Sequence, residues 1–336
     1  MIKIALDMEG SDNSPETEIK GVFETLKEVQ NLKLFLITLS KNVPLLKKTF
    51  SHYIYEGRVE IIEAKEKIST EDTPFEFARK KDSTISKGIV LHKEGKVHGF
   101  LSAGHTVAIL FFASSILGKL QGIRKPAIGV FLPDIKLKGV FLIDAGANVE
   151  VTPEDLLQFA FMGKTYLENI MGRRNPKIAL LSIGREKNKG NKLVLEAYKI
   201  FSKTFSENFY GNIESNEIFN GEVDILVTDG FTGNIVLKMI EGSAEFIEKL
   251  LKIYLRENPF YLPFIFPLKP LLSKIKKVIS FEKYGGAPIL GVNGYVFKTH
   301  GRATPEAIKN SLKKLYFFVK NDFLKRLKEG GERYGI

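Results

Sequence analysis

Five glycine-bearing turns hold the polar residues of this sequence best suited to chemistry. They cover residues 7–12, 102–106, 144–148, 184–191 and 229–234, and within them stand His105, Asn148, Lys189, Asn191 and Asn234. Glycine lets the backbone come close to an anion, and a helix starting just after it offers unpaired N–H groups and the positive end of a dipole. A lysine and several amides placed there suit the binding of an oxyanion and the polarising of a carbonyl. They do not suit a covalent acyl-enzyme. The chain has no cysteine and no G-x-S-x-G elbow. His52, His92, His98, His105 and His300 show no H-x-x-x-H or H-E-x-x-H spacing, so a metal site is not indicated. None of the turns matches the dinucleotide fingerprint or the P-loop, and no cofactor is expected.

The elements that must position these turns follow from an alternating pattern. Apolar runs at 2–6, 34–39, 59–62, 97–101, 140–143, 178–183 and 223–227 read as strands. Between them lie helical stretches. Ser14-Pro15, Thr73-Pro74 and Thr152-Pro153 each offer a capping hydroxyl followed by proline at the first helical position. Further helices are expected over 83–92, 108–117, 156–166 and 192–201, and a long one after Asn234. Alternating strands and helices predict an α/β fold with a mostly parallel sheet covered on both faces. Such sheets bind ligands beyond the carboxyl ends of their strands, so all five turns are expected at one edge. One α/β unit over 1–336 is expected, with 252–283 as a helical hairpin appendage within it. Bland readings stay open beside the chemical ones. Lys189 suits a surface helix, Asn234 a helix N-cap and Arg302 the neutralising of a helix end.

Composition narrows the partners. The 336 residues, 44% of them hydrophobic, are enough to bury a large core. Fifty basic against 39 acidic residues give a formal charge of +11, which fits nucleic acid, anionic lipid, or an acidic protein or metabolite. A lysine-rich solubilising surface explains the same number. Nucleic acid is the poorest fit, because the basic residues are interspersed with acidic ones and no binding motif is present. The absence of cysteine suits a cytoplasmic setting, and the start shows no signal peptide. Residues 258–272 are the most apolar stretch, but Pro259, Pro263, Pro267, Pro270 and Lys269 interrupt it short of a membrane span. Phe260, Phe264 and Phe266 lie there, with Lys274, Lys276 and Lys277 close behind. Aromatics beside a basic cluster fit shallow insertion into an anionic membrane surface, while a dimer interface would use the same residues.

Read in order, the turns form a recognisable series. Asp144-Ala145-Gly146-Ala147-Asn148, Lys189-Gly190-Asn191, Asp229-Gly230-Phe231-Thr232-Gly233-Asn234, Gly285-Gly286-Ala287-Pro288, Gly291-Val292-Asn293-Gly294 and His300-Gly301-Arg302 follow the opening Ala5-Leu6-Asp7 and Lys80-Lys81-Asp82-Ser83. With these strings the chain resembles the PlsX family of phosphate acyltransferases over nearly its whole length. The resemblance implies transfer of an acyl group from acyl-[acyl carrier protein] to inorganic phosphate. It also implies a three-layer Rossmann-like fold like that of phosphotransacetylase and of the isocitrate and isopropylmalate dehydrogenases. A homodimer and peripheral membrane attachment come with it. It assigns catalysis to Lys189 and Asn234. Gly104, His105, Thr106, Asn148, Asn191, Gly233 and Arg302 are the expected substrate and phosphate contacts, and Phe260, Phe264, Phe266, Lys276 and Lys277 the expected membrane contacts.

Departures from the family pattern fall at the anion turns. S-A-G-N-T-G-A reads Ser102-Ala103-Gly104-His105-Thr106-Val107-Ala108, and D-A-M-G-G-D reads Asp7-Met8-Glu9-Gly10-Ser11-Asp12. Arg185-Glu186 partly replaces the acidic pair common before K-G-N. Competing functions are a short-chain phosphotransacetylase using coenzyme A, a decarboxylating dehydrogenase of the same fold, and a non-catalytic membrane scaffold. The dehydrogenase would need clustered metal-binding aspartates and a nicotinamide site, which the sequence lacks.

Overall fold

A computed structural model of the chain describes residues 1–279 and 285–332, with the Lys276 and Lys277 side chains among those outside the description. Among the described residues eleven strands form one sheet: β1 (Ile2–Asp7), β2 (Leu32–Leu39), β3 (Val59–Ala64), β4 (Gly99–Ser102), β5 (Ala127–Leu132), β6 (Val140–Ile143), β7 (Ile178–Leu181), β8 (Phe209–Ile213), β9 (Ile225–Val227), β10 (Ala287–Leu290) and β11 (Val296–Lys298). Their order across the sheet is β3-β2-β1-β4-β11-β10-β5-β6-β9-β7-β8.

The inner strands are apolar on both sides because helices cover both faces. In β1, Ile4 and Leu6 join one apolar layer and Ala5 the other, as alternation along a strand requires. Phe159, Phe161, Tyr166, Phe318 and Phe323 fill the first layer, and Phe77, Phe100 and Phe112 the second. Close helix packing needs small residues. A Cβ on Gly21 would sit 2.6 Å from Ile308 Cβ, where the helices Glu16–Glu28 and Pro305–Lys320 meet.

Two of the three expected caps form. Thr73 and Thr152 each accept from the backbone three residues on, and Glu76 and Asp155 reach back to complete a capping box. The third does not. The first helix starts at Glu16 with Pro15 at the N-cap position, and no side chain caps it. Ser14 is instead held in a turn, its N–H bonded to Ser11 O at 3.2 Å.

Strand directions correct the expectation of one binding edge. Strands β3, β2, β1, β4 and β11 are mutually parallel. Strand β10 runs against β11 and against β5, so β5 runs with β1. Strand β6 runs against β5, and β9, β7 and β8 run with β6. The sheet therefore holds two parallel blocks of opposite sense, β3-β2-β1-β4-β11 and β6-β9-β7-β8, joined through β10 and β5, which alternate in direction. Turns after β1, β4 and β11 leave by one edge, and turns after β6, β7 and β9 leave by the other. The reversal comes from three antiparallel pairings in succession, β11–β10, β10–β5 and β5–β6, which the apolar runs do not announce.

The longest helix, Gly230–Glu257, joins the two edges. It begins directly after β9, and its fourth and fifth turns meet the segment after β11. Glu241 lies 3.9 Å from His300, and Glu245 lies 2.8 Å from Arg302. Beyond Glu257 come the short turns and helices of 259–268 and the helix Lys269–Ile279. Among the described residues no helix is long and apolar enough to cross a membrane.

Candidate active site

Asp144 organises the first edge. Its side chain is fully buried at the end of β6. The backbone N–H groups of Ile128, Gly146, Ala147 and Asn148 donate to it at 2.8–3.1 Å, and Asn148 Nδ2 adds a bond of 2.8 Å. Burial pushes the carboxyl above its ordinary range, while these donors act against that shift. The 144–148 loop is thereby wound around one side chain. Asn148 Nδ2 also donates to Pro126 O at 2.7 Å. The amide hydrogens of Asn148 are thus taken, one inside its own loop and one by Pro126 ahead of β5, and what the side chain offers a ligand is its carbonyl oxygen.

The long helix docks onto this loop through two glycines. Gly230 N donates to Asn148 O at 2.7 Å, and a Cβ on Gly230 would lie 2.6 Å from that oxygen. A Cβ on Gly233 would lie 1.9 Å from Asp144 O, a distance no side chain tolerates. Gly233 is therefore a packing requirement, and it brings the helix terminus against the loop. The N-cap is Asp229, whose carboxylate accepts from Thr232 N at 2.8 Å and Thr232 Oγ1 at 2.7 Å. That overturns the cap reading of Asn234. Asn234 opens the second helical turn, exposed, with its side chain over Gly146.

Lys189 reaches the same edge from the loop after β7, the strand beside β9. It lies outside any helix, its side chain is exposed, and its stem packs on Gly184. The loop is tied down by Ser182 Oγ and Asn212 Nδ2, each donating to Lys189 O at 3.3 Å. Asn191 is the N-cap of the helix Lys192–Thr204, its Oδ1 accepting from Val194 N at 3.0 Å. Lys189, Asn191, Asn148, Gly233 and Asn234 thus share one edge on three neighbouring strands. An ammonium, amide donors and a helix N-terminus face solvent together there, a set able to bind an oxyanion and stabilise charge developing on a carbonyl oxygen.

Gly104, His105, Thr106 and Arg302 belong to the other edge. A Cβ on Gly10 would sit 2.7 Å from Gly104 N, so the turns after β1 and β4 touch backbone to backbone. Beneath them the buried Asp7 accepts from Ser102 Oγ at 2.7 Å and from Glu9 N at 3.0 Å. His105 Nδ1 accepts from Ala108 N at 3.2 Å and caps the helix Thr106–Phe112. Histidine keeps the capping role at a position where the family string has asparagine. Arg302 is exposed, and its guanidinium is engaged by Glu245 at 2.8 Å. Lys298 also lies at this edge, at the end of β11, and the sequence reading passed over it. Its signal was a single charged residue closing the apolar run Val296-Phe297 just before His300-Gly301.

Comparisons with known proteins identify the family of the chain. The family described as fatty acid synthesis protein matches residues 2–326. The chain belongs to that family. It is 40% identical over 331 residues to the phosphate acyltransferase of Dictyoglomus turgidum, covering 98% of this chain and 97% of that protein. It is 39% identical over 330 residues to the phosphate acyltransferase of Campylobacter concisus, covering 98% of each. These relatives bear out the PlsX resemblance. Among solved structures it is similar to the EutD phosphotransacetylase of Staphylococcus aureus, with a TM-score of 0.57, 16% identity, and 95% and 94% of the two chains covered. That likeness shows the shared α/β fold.

Proposed function

We propose that this chain is a phosphate acyltransferase that moves a fatty acyl group from acyl-[acyl carrier protein] to inorganic phosphate, giving an acyl phosphate for phospholipid synthesis. Membership of the family supports the reaction, and the edge built by Lys189 and Asn234 is the observation that carries the mechanism. It offers positive charge and amide donors, and its hydroxyls are already engaged, Ser182 with Lys189 O and Thr232 with Asp229. Phosphate is itself a nucleophilic oxyanion, and a thiol of pKa about 8.5 is a good leaving group. The residues must therefore position two anionic reactants and stabilise the oxyanion of the tetrahedral intermediate. Lys189 offsets its charge, and the Asn234 amide donates to the carbonyl oxygen. Incubating the full chain with acyl-[acyl carrier protein] and phosphate, and trapping acyl phosphate as its hydroxamate, tests the reading. A preference for acyl-coenzyme A as donor would instead favour a short-chain phosphotransacetylase.

Two assembly features belong to the same proposal. Phe231, Ile235, Met239, Phe246, Leu250 and Ile253 are exposed and recur at helical spacing along Gly230–Glu257. This stripe starts beside Asn234 and suits a second copy of the chain, giving a homodimer. Past the end of that helix, Phe260, Phe264 and Phe266 are 76%, 63% and 74% exposed, which supports contact with a lipid surface rather than burial in the same chain. The enzyme would then be cytoplasmic and peripherally attached to an anionic membrane. Lys276 and Lys277 were expected to reinforce that contact; their side chains lie outside the described residues.

A further inference from the structure

At the edge opposite Lys189, one cation lacks a counterpart among the described residues. Lys298 closes β11, and its register partner is Ser102 at the end of β4. Its side chain is half-buried, and among the described residues no hydrogen bond or ion pair reaches its ammonium. The ammonium is not sealed off. Fully enclosed polar atoms without a partner include Ser11 Oγ and Glu18 Oε2 but not Lys298 Nζ, which therefore keeps a path to solvent.

Its neighbours are charged but already engaged. Lys238 Nζ bonds Glu241 at 2.6 Å, and the same Glu241 oxygen lies 3.9 Å from His300 Nε2. Glu245 is taken by Arg302. Burial takes the Lys298 ammonium down to about 8, nearby Lys238 adds to that, and Glu241 opposes it. Burial and then Lys298 lower His300 in turn. A half-buried cation crowded by other cations, with no carboxylate of its own, is costly unless an external anion completes it. The position suits the reaction. Asn234 and Lys238 are one turn apart on one helix face, with Cβ atoms about 5–6 Å apart.

We propose that Lys298, flanked by Lys238 and His300, binds the inorganic phosphate that acts as nucleophile, facing the edge where Lys189 and Asn234 take the thioester. This rests on the acyl-transfer reading for the role of the phosphate, and not for its binding. In the step, an oxygen of hydrogen phosphate forms the new C–O bond, and the C–S bond breaks with its electron pair going to sulfur. The phosphate proton ends on the thiol. Lys298 holds the phosphate charge throughout and exchanges no proton.

The test is thermal unfolding of the full chain against inorganic phosphate, without acyl donor, with potassium chloride at matched ionic strength as the control. Phosphate should raise the wild-type midpoint beyond the chloride control. Lys298→Met should need about ten- to a hundredfold more phosphate for the same rise, the size of a lost hydrogen bond to a charged group. In the transfer assay the same variant should raise KM for phosphate and leave KM for the acyl donor unchanged, and Lys298→Arg should recover part of the phosphate affinity. If Lys298→Met does not fold, Lys298→Gln and Lys238→Gln are read the same way. An equal phosphate-dependent rise in wild type and variants, or none in the wild type, overturns the assignment. Because the binding arm contains no acyl donor, its result stands apart from whether acyl phosphate is made.

Discussion

Around the Asp144 carboxylate, four backbone N–H groups and the Asn148 amide converge in a fully buried spot. Asp144→Asn would turn an NH2 group toward those donors. Leaving buried donors unmatched costs about 1–3 kcal/mol. Chemical denaturation of that variant should show a loss of this size, and an unchanged midpoint would show that the loop does not depend on the carboxylate. Lys189 and Asn234 are exposed, so their removal should spare the fold. Lys189→Ala and Asn234→Ala should each lower turnover by about ten- to a thousandfold, the range for loss of one oxyanion stabiliser. Wild-type turnover in either folded variant would remove that residue from the mechanism. The placement of both residues in glycine turns was legible in the sequence, because such turns are local features. Asp144 was read as part of a string, and its role was hidden because it depends on donors from Ile128 and from the chain folding back on itself.

Among the elements, capping chemistry was legible and strand direction was not. Thr73 and Thr152 were read correctly because a cap is settled within four residues, whereas Ser14 failed because the turn to Ser11 and the packing of residues 11–16 decide where that helix starts. Strands β5, β8, β10 and β11 escaped notice, two of them short and interrupted by Gly and Pro in the neighbouring sequence. Missing the β5–β6 reversal is what placed all the turns on one edge. The helix Gly230–Glu257 has a separate logic on each face. Asn234, Lys238, Glu241 and Glu245 recur at helical spacing and meet the site, and the apolar stripe lies elsewhere on its surface. At the tip, replacing both Phe264 and Phe266 with Glu should abolish flotation with anionic vesicles and leave soluble acyl transfer and the unfolding midpoint intact, because both side chains are exposed. A variant that dissociates in sedimentation would assign the tip to the dimer instead. A wild type that never floats would end the membrane reading.

For the molecule as a whole, the charge of +11 becomes a statement about encounter. Acyl carrier proteins are acidic, and complementary charge speeds association in a way that salt screens. The apparent affinity for the carrier should fall as salt rises toward physiological strength, and a salt-independent affinity in kinetic titrations would remove the electrostatic part of recognition. Sequence could give the sign of this field and the family, but not the two-edged layout that would set thioester and phosphate on opposite sides of one helix face. In the proposed mechanism phosphate attacks the thioester directly. The most direct measurement of this attack uses 18O-labelled phosphate and acyl-[acyl carrier protein] with the full chain, followed by mass spectrometry of both product and protein. Direct attack predicts an acyl phosphate that retains every labelled oxygen and a protein of unchanged mass. An acyl adduct on the chain, or free fatty acid in place of acyl phosphate, would contradict it.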